Sequence, residues 1–221
     1  METLTEKAPG KREARKEERR LAILEVAKRS FLDNGYSATS MSAISAELGG
    51  SKGTLWSYFP SKEELFAAVL DHATADYRRQ MASVLQPTDD PYTTLLTFCR
   101  SFLTKITSPD GLRLHRLIAA ESGRFPEIAE IFFRRAPQPT QQLLADFFAA
   151  EMASGHMRKD EPLAAARALA GLCLGGLHQR VLWGKEAATP ERIDAEARYA
   201  ADIFARAFEI NRGGAAAADR N

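Results

Sequence analysis

The side chains able to do acid–base or metal chemistry are few and dispersed. The histidines are His72, His115, His156 and His178. His115, Glu121 and His178 could meet only inside a helical bundle, where they would resemble a metal or proton-transfer cluster. No Glu-x-x-His pair, His-x-x-x-His pair or nucleophile elbow accompanies them. No catalytic residue, metal site or cofactor is therefore assigned, and a histidine on an apolar helix reads first as a hydrogen-bonded core or pocket group. Cys99 and Cys173 lie far apart, match no metal spacing and sit among apolar neighbours, so they read as buried thiols.

A denser chemistry lies between Thr39 and Leu65, in Thr39-Ser-Met-Ser-Ala-Ile-Ser-Ala-Glu-Leu-Gly-Gly-Ser-Lys-Gly-Thr-Leu-Trp-Ser-Tyr-Phe-Pro-Ser-Lys-Glu-Glu-Leu65. Ser40 can cap a short helix carrying Met41, Ile44 and Leu48; Gly49-Gly50 breaks it, and Ser51 can cap the next. Two short helices joined by a tight glycine turn can place the second in a DNA major groove. That second helix, about Lys52 to Tyr58, is polar on one side. Thr54, Ser57 and Tyr58 supply hydroxyls, while Leu55 and Phe59 can anchor the other side to a core. Lys52 could donate to guanine acceptors, Thr54 could meet a thymine methyl, and Gly53 lets the helix backbone approach closely.

The run Ser51-Lys-Gly-Thr-Leu-Trp-Ser-Tyr-Phe-Pro-Ser-Lys-Glu-Glu-Leu65 resembles the recognition helix and the start of the fourth helix of TetR-family transcriptional regulators, and Phe31-x-x-x-Gly-Tyr-Ser-Ala-Thr39 resembles that family's end of helix one. Glu121-Ser-Gly-Arg-Phe-Pro-Glu-Ile128 is similar to its AcrR/AefR-like branch. Gly50 stands where the family usually has an apolar residue. The resemblance implies that Ser51, Lys52, Gly53, Thr54, Leu55, Trp56 and Ser57 face DNA, and that Thr39, Ser40, Tyr58 and Lys62 touch phosphates. It also implies a homodimer on a palindromic operator in double-stranded DNA, most simply as a repressor that a small molecule releases.

The elements that must position these residues are helices; no sustained apolar alternation marks a strand. Ile23, Leu24, Ala27, Phe31 and Leu32 recur at helical spacing in a first helix expected over 15–34, ending at Gly35. Ser61 and Glu64 form a capping box for a long fourth helix. Pro87-Thr-Asp-Asp-Pro91 is a turn-rich break. Beyond it Leu95, Leu96, Cys99, Phe102, Leu103 and Ile106 make an amphipathic face, and helices are expected around Leu114–Glu121, from Pro126, from Pro162 through about Trp183, and from Pro190 to near Asn211. Pro137 and Pro139 should kink or break the helix that carries them. The expected fold is all-α, about nine helices: an N-terminal three-helix helix-turn-helix domain and a C-terminal helical bundle for ligand binding and dimerisation. The expected boundaries are a basic disordered arm at 1–14, the DNA-binding domain at 15–62, the bundle at 63–211 and a disordered tail at 212–221. Lys11, Arg12, Arg15, Lys16, Arg19 and Arg20, opposed by Glu13, Glu17 and Glu18, suit a phosphate-seeking segment.

In the bundle, Phe98, Phe102, Leu117, Ile118, Phe132, Phe133, Leu174 and Leu177 could line an apolar cavity, with His115, Glu121, His178 and Gln179 as sparse polar anchors. No Arg/Lys cluster converges there, which favours a hydrophobic or aromatic effector over a sugar phosphate. For the dimer interface, Gly171, Cys173, Gly175 and Gly176 offer close helix approach, and Ile193, Ala197, Ala200, Phe204 and Phe208 form a stripe on the last helix. The same stripe would also serve as intramolecular core.

With 45% hydrophobic and 27% charged residues, the 221-residue chain has the composition of a folded globular protein. No apolar run approaches the ~20 residues of a membrane span, and the charged N-terminus is unlike a signal peptide, so a cytoplasmic location is expected. Two rivals remain at this level: an architectural helix-turn-helix protein without a ligand, and a helical-bundle enzyme. About 130 residues beyond the DNA-binding segment exceed what a minimal dimerisation element needs, which weighs against the former.

Overall fold

The structure is a computed structural model that describes residues 10–49 and 52–210. All regular structure among them is helical: α1 (Lys11–Asn34), α2 (Met41–Glu47), α3 (Lys52–Tyr58), α4 (Lys62–Val84), α5 (Pro91–Ile106), α6 (Pro109–Glu121), α7 (Pro126–Arg135), α8 (Pro137–Ser154), α9 (Pro162–Cys173), a π turn (Leu174–His178), α10 (Gln179–Leu182) and α11 (Pro190–Ala207). The chain divides into two compact units, Met1–His72 and Ala73–Asn221.

The first unit is a three-helix arrangement closed by the start of α4. Ile23, Leu24, Ala27 and Phe31 of α1 are buried, as the helical spacing requires, together with Ile44 of α2, Leu55 of α3 and Leu65 and Phe66 of α4. Phe31, Tyr36 and Phe66 pack ring to ring, with centroids 5.1–5.8 Å apart. Ser40 caps α2 by accepting from the Ala43 amide at 3.1 Å, and Ser61 accepts from the Glu64 amide at 3.1 Å. Gly49 follows α2 at φ +63°, a left-handed conformation that a side chain resists and glycine adopts freely.

Helix α1 begins at Lys11, four residues before the expected start. The Gly10 amide donates to the Glu13 carboxylate at 3.2 Å, so an acidic first turn satisfies a free N-terminal donor and suits the helix dipole. Lys11 and Arg12, expected in a disordered arm, are thus exposed residues of the same helix as Arg15 and Lys16. Positions 1–9, Gly50, Ser51 and the expected tail at 212–221 lie outside the described residues.

In the second unit α8 packs on α9 and α5 on α11, around Leu95, Phe98, Cys99, Leu144, Phe148, Leu169, Cys173 and Phe204. Phe148 and Phe204 stack at 5.0 Å, and Phe204 stacks on Phe208 at 4.4 Å. Proline stands at the first position of α5, α6, α7, α8, α9 and α11, where its missing N–H costs nothing. Pro137 therefore separates α7 from α8, as expected. The helix expected from Pro162 through Trp183 is not continuous. Gly176, with φ −99° and ψ −117°, opens a π turn, and a Cβ there would collide with the Glu196 carboxylate.

Candidate functional site

Helix α3 is divided by burial. Leu55 and the following Phe59 are buried and fix the helix to the core, whereas Gly53, Trp56 and Ser57 are exposed and Thr54 and Tyr58 are half-buried. The Ser57 hydroxyl donates to the Thr54 carbonyl at 2.7 Å. Lys52 opens the helix. Ser40 is exposed while serving as the α2 cap.

Three residues expected at DNA take other roles. Leu55 is core. Thr39 is 2% exposed, and its hydroxyl donates to the Gly35 carbonyl at 2.7 Å, tying down the corner between α1 and α2. The Lys62 ammonium donates to the carbonyls of Tyr36 (2.7 Å) and Thr39 (3.0 Å) and lies 4.1 Å over the Tyr36 ring. A cation holding backbone oxygens braces the fold, because a corner outside the helices leaves carbonyls that need donors. Arg19, counted with the basic run, likewise donates to the Leu48 carbonyl at 3.2 Å and so covers the end of α2.

The second unit contains a cavity of about 130 Å³. Four of the residues expected to line it do so: Phe102, His115, Phe132 and Leu174. The rest of the wall comes from Thr74 and Tyr77 of α4, Lys105 and Ile106 of α5, and Gly111 and Leu114 of α6, with Ala136, then Pro137, Thr140, Gln141 and Leu144 of α8, and Ala170 of α9 completing it. Phe98, Leu117, Leu177 and His178 are buried away from this wall. Ile118, Glu121, Phe133 and Gln179 do not line it either, and Phe133 and Gln179 are exposed. The α4 and α8 residues escape a sequence reading because apolar spacing shows which face of a helix is buried, not whether that face meets packed atoms or empty space.

The cavity's polar groups are mostly turned onto the protein's own backbone. Thr140 donates to the Ala136 carbonyl at 3.1 Å and Lys105 to the Ala73 carbonyl at 2.8 Å. His115 is different. Its Nδ1 lies 2.9 Å from Nε2 of His178, its ring stands edge-on to Phe132 at 5.7 Å, and burial beside His178 pushes its pKa down to about 4. Both imidazoles are held below their ordinary range chiefly by burial. The pair is therefore neutral near pH 7. The Tyr77 ring also lines the cavity, but its hydroxyl is buried without a hydrogen-bond partner among the described residues, and burial raises its pKa.

The stripe expected at a dimer interface is intramolecular. Ala197, Ala200 and Phe204 are fully buried in the single chain, with Ile193 and Phe208 packed against the same core. Helical periodicity marks a face that must be covered and does not say by which chain. Gly171 and Gly175 on the outer side of α9 and the π turn are exposed, as are Ala164 and Ala168, Trp183 (64% exposed) and Tyr199 (62%). Among the described residues no group of three or more His, Cys, Asp or Glu side chains is placed to hold a metal, and no helix is long and apolar enough to cross a membrane.

Comparison with known proteins agrees with this organisation. Residues 23–69 match a model of bacterial regulatory proteins of the tetR family, and residues 93–210, more than half of the chain, match one of the C-terminal domain of AefR-like transcriptional repressors. A Mesorhizobium loti protein described as a TetR-family transcriptional regulator has the same fold, with a TM-score of 0.77 at 24% identity over 90% of this chain and 99% of its own. The flavonoid-responsive regulator FrrA is 32% identical, with a TM-score of 0.69 over 85% of this chain and 95% of its own. The HTH-type transcriptional regulator YhgD of Bacillus subtilis, itself uncharacterised, is 31% identical over 70 residues, which span 32% of this chain and 37% of YhgD.

Proposed function

The chain belongs to the TetR family of bacterial DNA-binding transcriptional regulators, and from that premise we propose that it is a repressor that binds a palindromic operator as a homodimer and is released by a small hydrophobic or aromatic molecule. The observation that carries the DNA reading is the division of α3, with Leu55 and Phe59 buried and Gly53, Trp56 and Ser57 presented outward. One seven-residue helix reads only a half-site, so two-fold symmetry supplies the second. In this reading Lys52 and Thr54 read base edges, while Ser40 and Tyr58 hold phosphates beside them. The exposed cations Lys11, Arg12, Arg15 and Lys16 add phosphate contacts from α1. Two copies meet through the outer face of α9 and the exposed aromatics near α11. A cytoplasmic location follows from a chromosomal target.

The cavity supports release by a ligand. Its walls are mostly apolar with few polar groups, which suits an aromatic compound, and FrrA, a relative at 32% identity, is named as responsive to flavonoids. A cavity of about 130 Å³ is close to the roughly 150 Å³ that holds a benzene ring, so a larger effector must open it further. That expansion provides the coupling: a ligand that binds an expanded form better shifts the population toward it, whereas equal affinity for both forms shifts nothing.

The test is selection of an operator from random DNA, followed by release of that operator by aromatic compounds that raise the melting temperature. Palindromic half-sites, a dimer and ligand-dependent release are expected, with base preference relaxed in Lys52→Ala and Thr54→Ala. Hydrophobic ligands that bind and leave operator affinity unchanged would overturn the repressor-release reading.

A further inference from the structure

We infer that the cavity selects a small apolar compound carrying one carboxylate, held by the Lys105 ammonium; this rests on the cavity being the effector site. Lys105 lines the cavity from α5, and its ammonium lies 2.8 Å from the Ala73 carbonyl on α4. The next residue, Thr74, is itself part of the wall, which places the cation at the α4 edge of the cavity. An ammonium has three N–H donors and no acceptor. A carboxylate that reaches this edge can therefore bond the ammonium beside the Ala73 carbonyl or in exchange for it.

The charge of the wall points the same way. No aspartate or glutamate is among the described residues that line it, and His115 adds no charge near pH 7, because burial and the neighbouring His178 keep its ring neutral. The formal charge of the wall is thus the single positive charge of Lys105. The acidic residues next to wall residues in the chain, Asp76 and Asp110, are ion-paired with Arg79 and Arg113. The Tyr77 hydroxyl, buried on the same wall without a hydrogen-bond partner among the described residues, can donate to a second ligand oxygen or accept from a ligand, so it does not oppose this choice. In an apolar enclosure an unpaired carboxylate is costly, and one bonded to an ammonium gains a bond roughly twice as strong as a neutral one. Charge at this one point therefore sorts ligands of equal shape. A neutral amide gains less from Lys105, and a cationic ligand meets like charge.

The test uses the full-length chain and three single-ring probes of one shape and different charge: 4-methylbenzoate, 4-methylbenzamide and 4-methylbenzamidine, titrated calorimetrically at pH 7. The carboxylate is expected to bind about ten-fold tighter than the amide, the added effect of a charged acceptor on a charged donor, with the amidine weakest. Lys105→Met keeps the aliphatic stem and removes the charge, so the advantage of the carboxylate over the amide should vanish. Equal or tighter binding of the amide or the amidine, or an advantage that survives Lys105→Met, would overturn the inference. So would failure of all three probes to bind. If Lys105→Met does not fold, nuclear Overhauser contacts in the unaltered chain decide: bound 4-methylbenzoate should lie against the Cε protons of Lys105 and the Thr74 methyl, and a probe seated elsewhere overturns the assignment. Operator release is read separately. A carboxylate that shows the preference but leaves operator DNA bound supports this recognition and removes the release mechanism. Neutral aromatics that release the operator while the three probes show no preference for negative charge do the reverse.

Discussion

The Lys62 ammonium donates to the Thr39 carbonyl at 3.0 Å, and through the Tyr36 carbonyl and ring it closes the corner between α1 and α2 onto the start of α4. A charged donor on backbone oxygens contributes about 1.5–3 kcal/mol. Lys62→Met keeps the aliphatic stem and removes the charge. It should lower stability by about 2 kcal/mol and weaken operator binding through loss of folded DNA-binding units. The slope of log affinity against log salt should stay the same, because Lys62 neutralises no phosphate in this arrangement. Salt titration of operator binding beside a thermal melt separates the two roles; a flatter slope with unchanged melting would return Lys62 to the phosphate-binding set.

Lys11, Arg12, Arg15 and Lys16 occupy an ordered helix, so their positions relative to α1 are fixed before DNA arrives. Replacing all four by Gln should make the salt slope less negative by about 0.9 for each phosphate that is no longer neutralised, while base preference is retained. Fluorescence anisotropy at several salt concentrations measures this, and an identical slope would make these side chains a solvated face.

Phe204 is 1% exposed and stacks on Phe148, while nothing lies within 4 Å of a Cβ added at Gly171. The two positions should therefore respond differently to charge. Phe204→Asp should unfold the second unit, since deleting a buried aromatic costs about 3–5 kcal/mol before the buried charge is counted. Gly171→Arg should preserve helical circular dichroism and yield monomers in sedimentation. A Gly171→Arg protein that remains dimeric would move the interface away from α9.

Much of this fold was legible. Prolines at 91, 109, 126, 137, 162 and 190 each open a helix, because proline tolerates a first helical turn and disrupts an interior one. The helix-turn-helix was legible because glycine turn, serine cap and apolar spacing coincide in one short stretch. Orientation was less so. Thr39 and Lys62 carry polar groups that would serve a phosphate or a carbonyl equally well, and only the path of the chain at Tyr36 decides between them. The Ala197–Phe204 stripe has the periodicity of any covered helix face. The cavity wall draws on α4 to α9, so its membership depends on helix crossings that no local pattern encodes. His115 and His178 were expected near one another as polar anchors, and their rings do meet at 2.9 Å, but only His115 reaches the cavity wall, which helical periodicity does not foresee.

Tyr77 offers a simple stability test. Its hydroxyl is buried without a partner among the described residues, and an unsatisfied buried hydroxyl forfeits the hydrogen bonds it made to water in the unfolded chain. Tyr77→Phe should be neutral or stabilising by about 1 kcal/mol in urea unfolding. A loss of stability instead would show that the hydroxyl is satisfied in solution, for example by a water within the cavity.

Acid should destabilise the folded chain through the imidazole pair. Burial first, and the neighbouring His178 second, push the pKa of His115 down to about 4, and burial lowers His178 as well. In the unfolded chain such rings titrate near 6.5. Between about pH 6.5 and 4 the unfolded chain therefore binds more protons than the folded one, so stability rises with pH across that window and is lost as pH falls through it. From pH 7 to pH 5 the His115 share is on the order of 1–2 kcal/mol, after allowing for partial exposure of the ring. Carboxylates such as Glu63, which backbone hydrogen bonding holds below the ordinary 4.5, lose their stabilising effect only at lower pH, so this window reports on the histidines. Urea unfolding of the unaltered chain and of His115→Phe at pH 7 and pH 5 gives the comparison. The variant should show a smaller acid loss by that amount, and an equal loss in both proteins would mean that His115 is already solvated and free to ionise in the folded state.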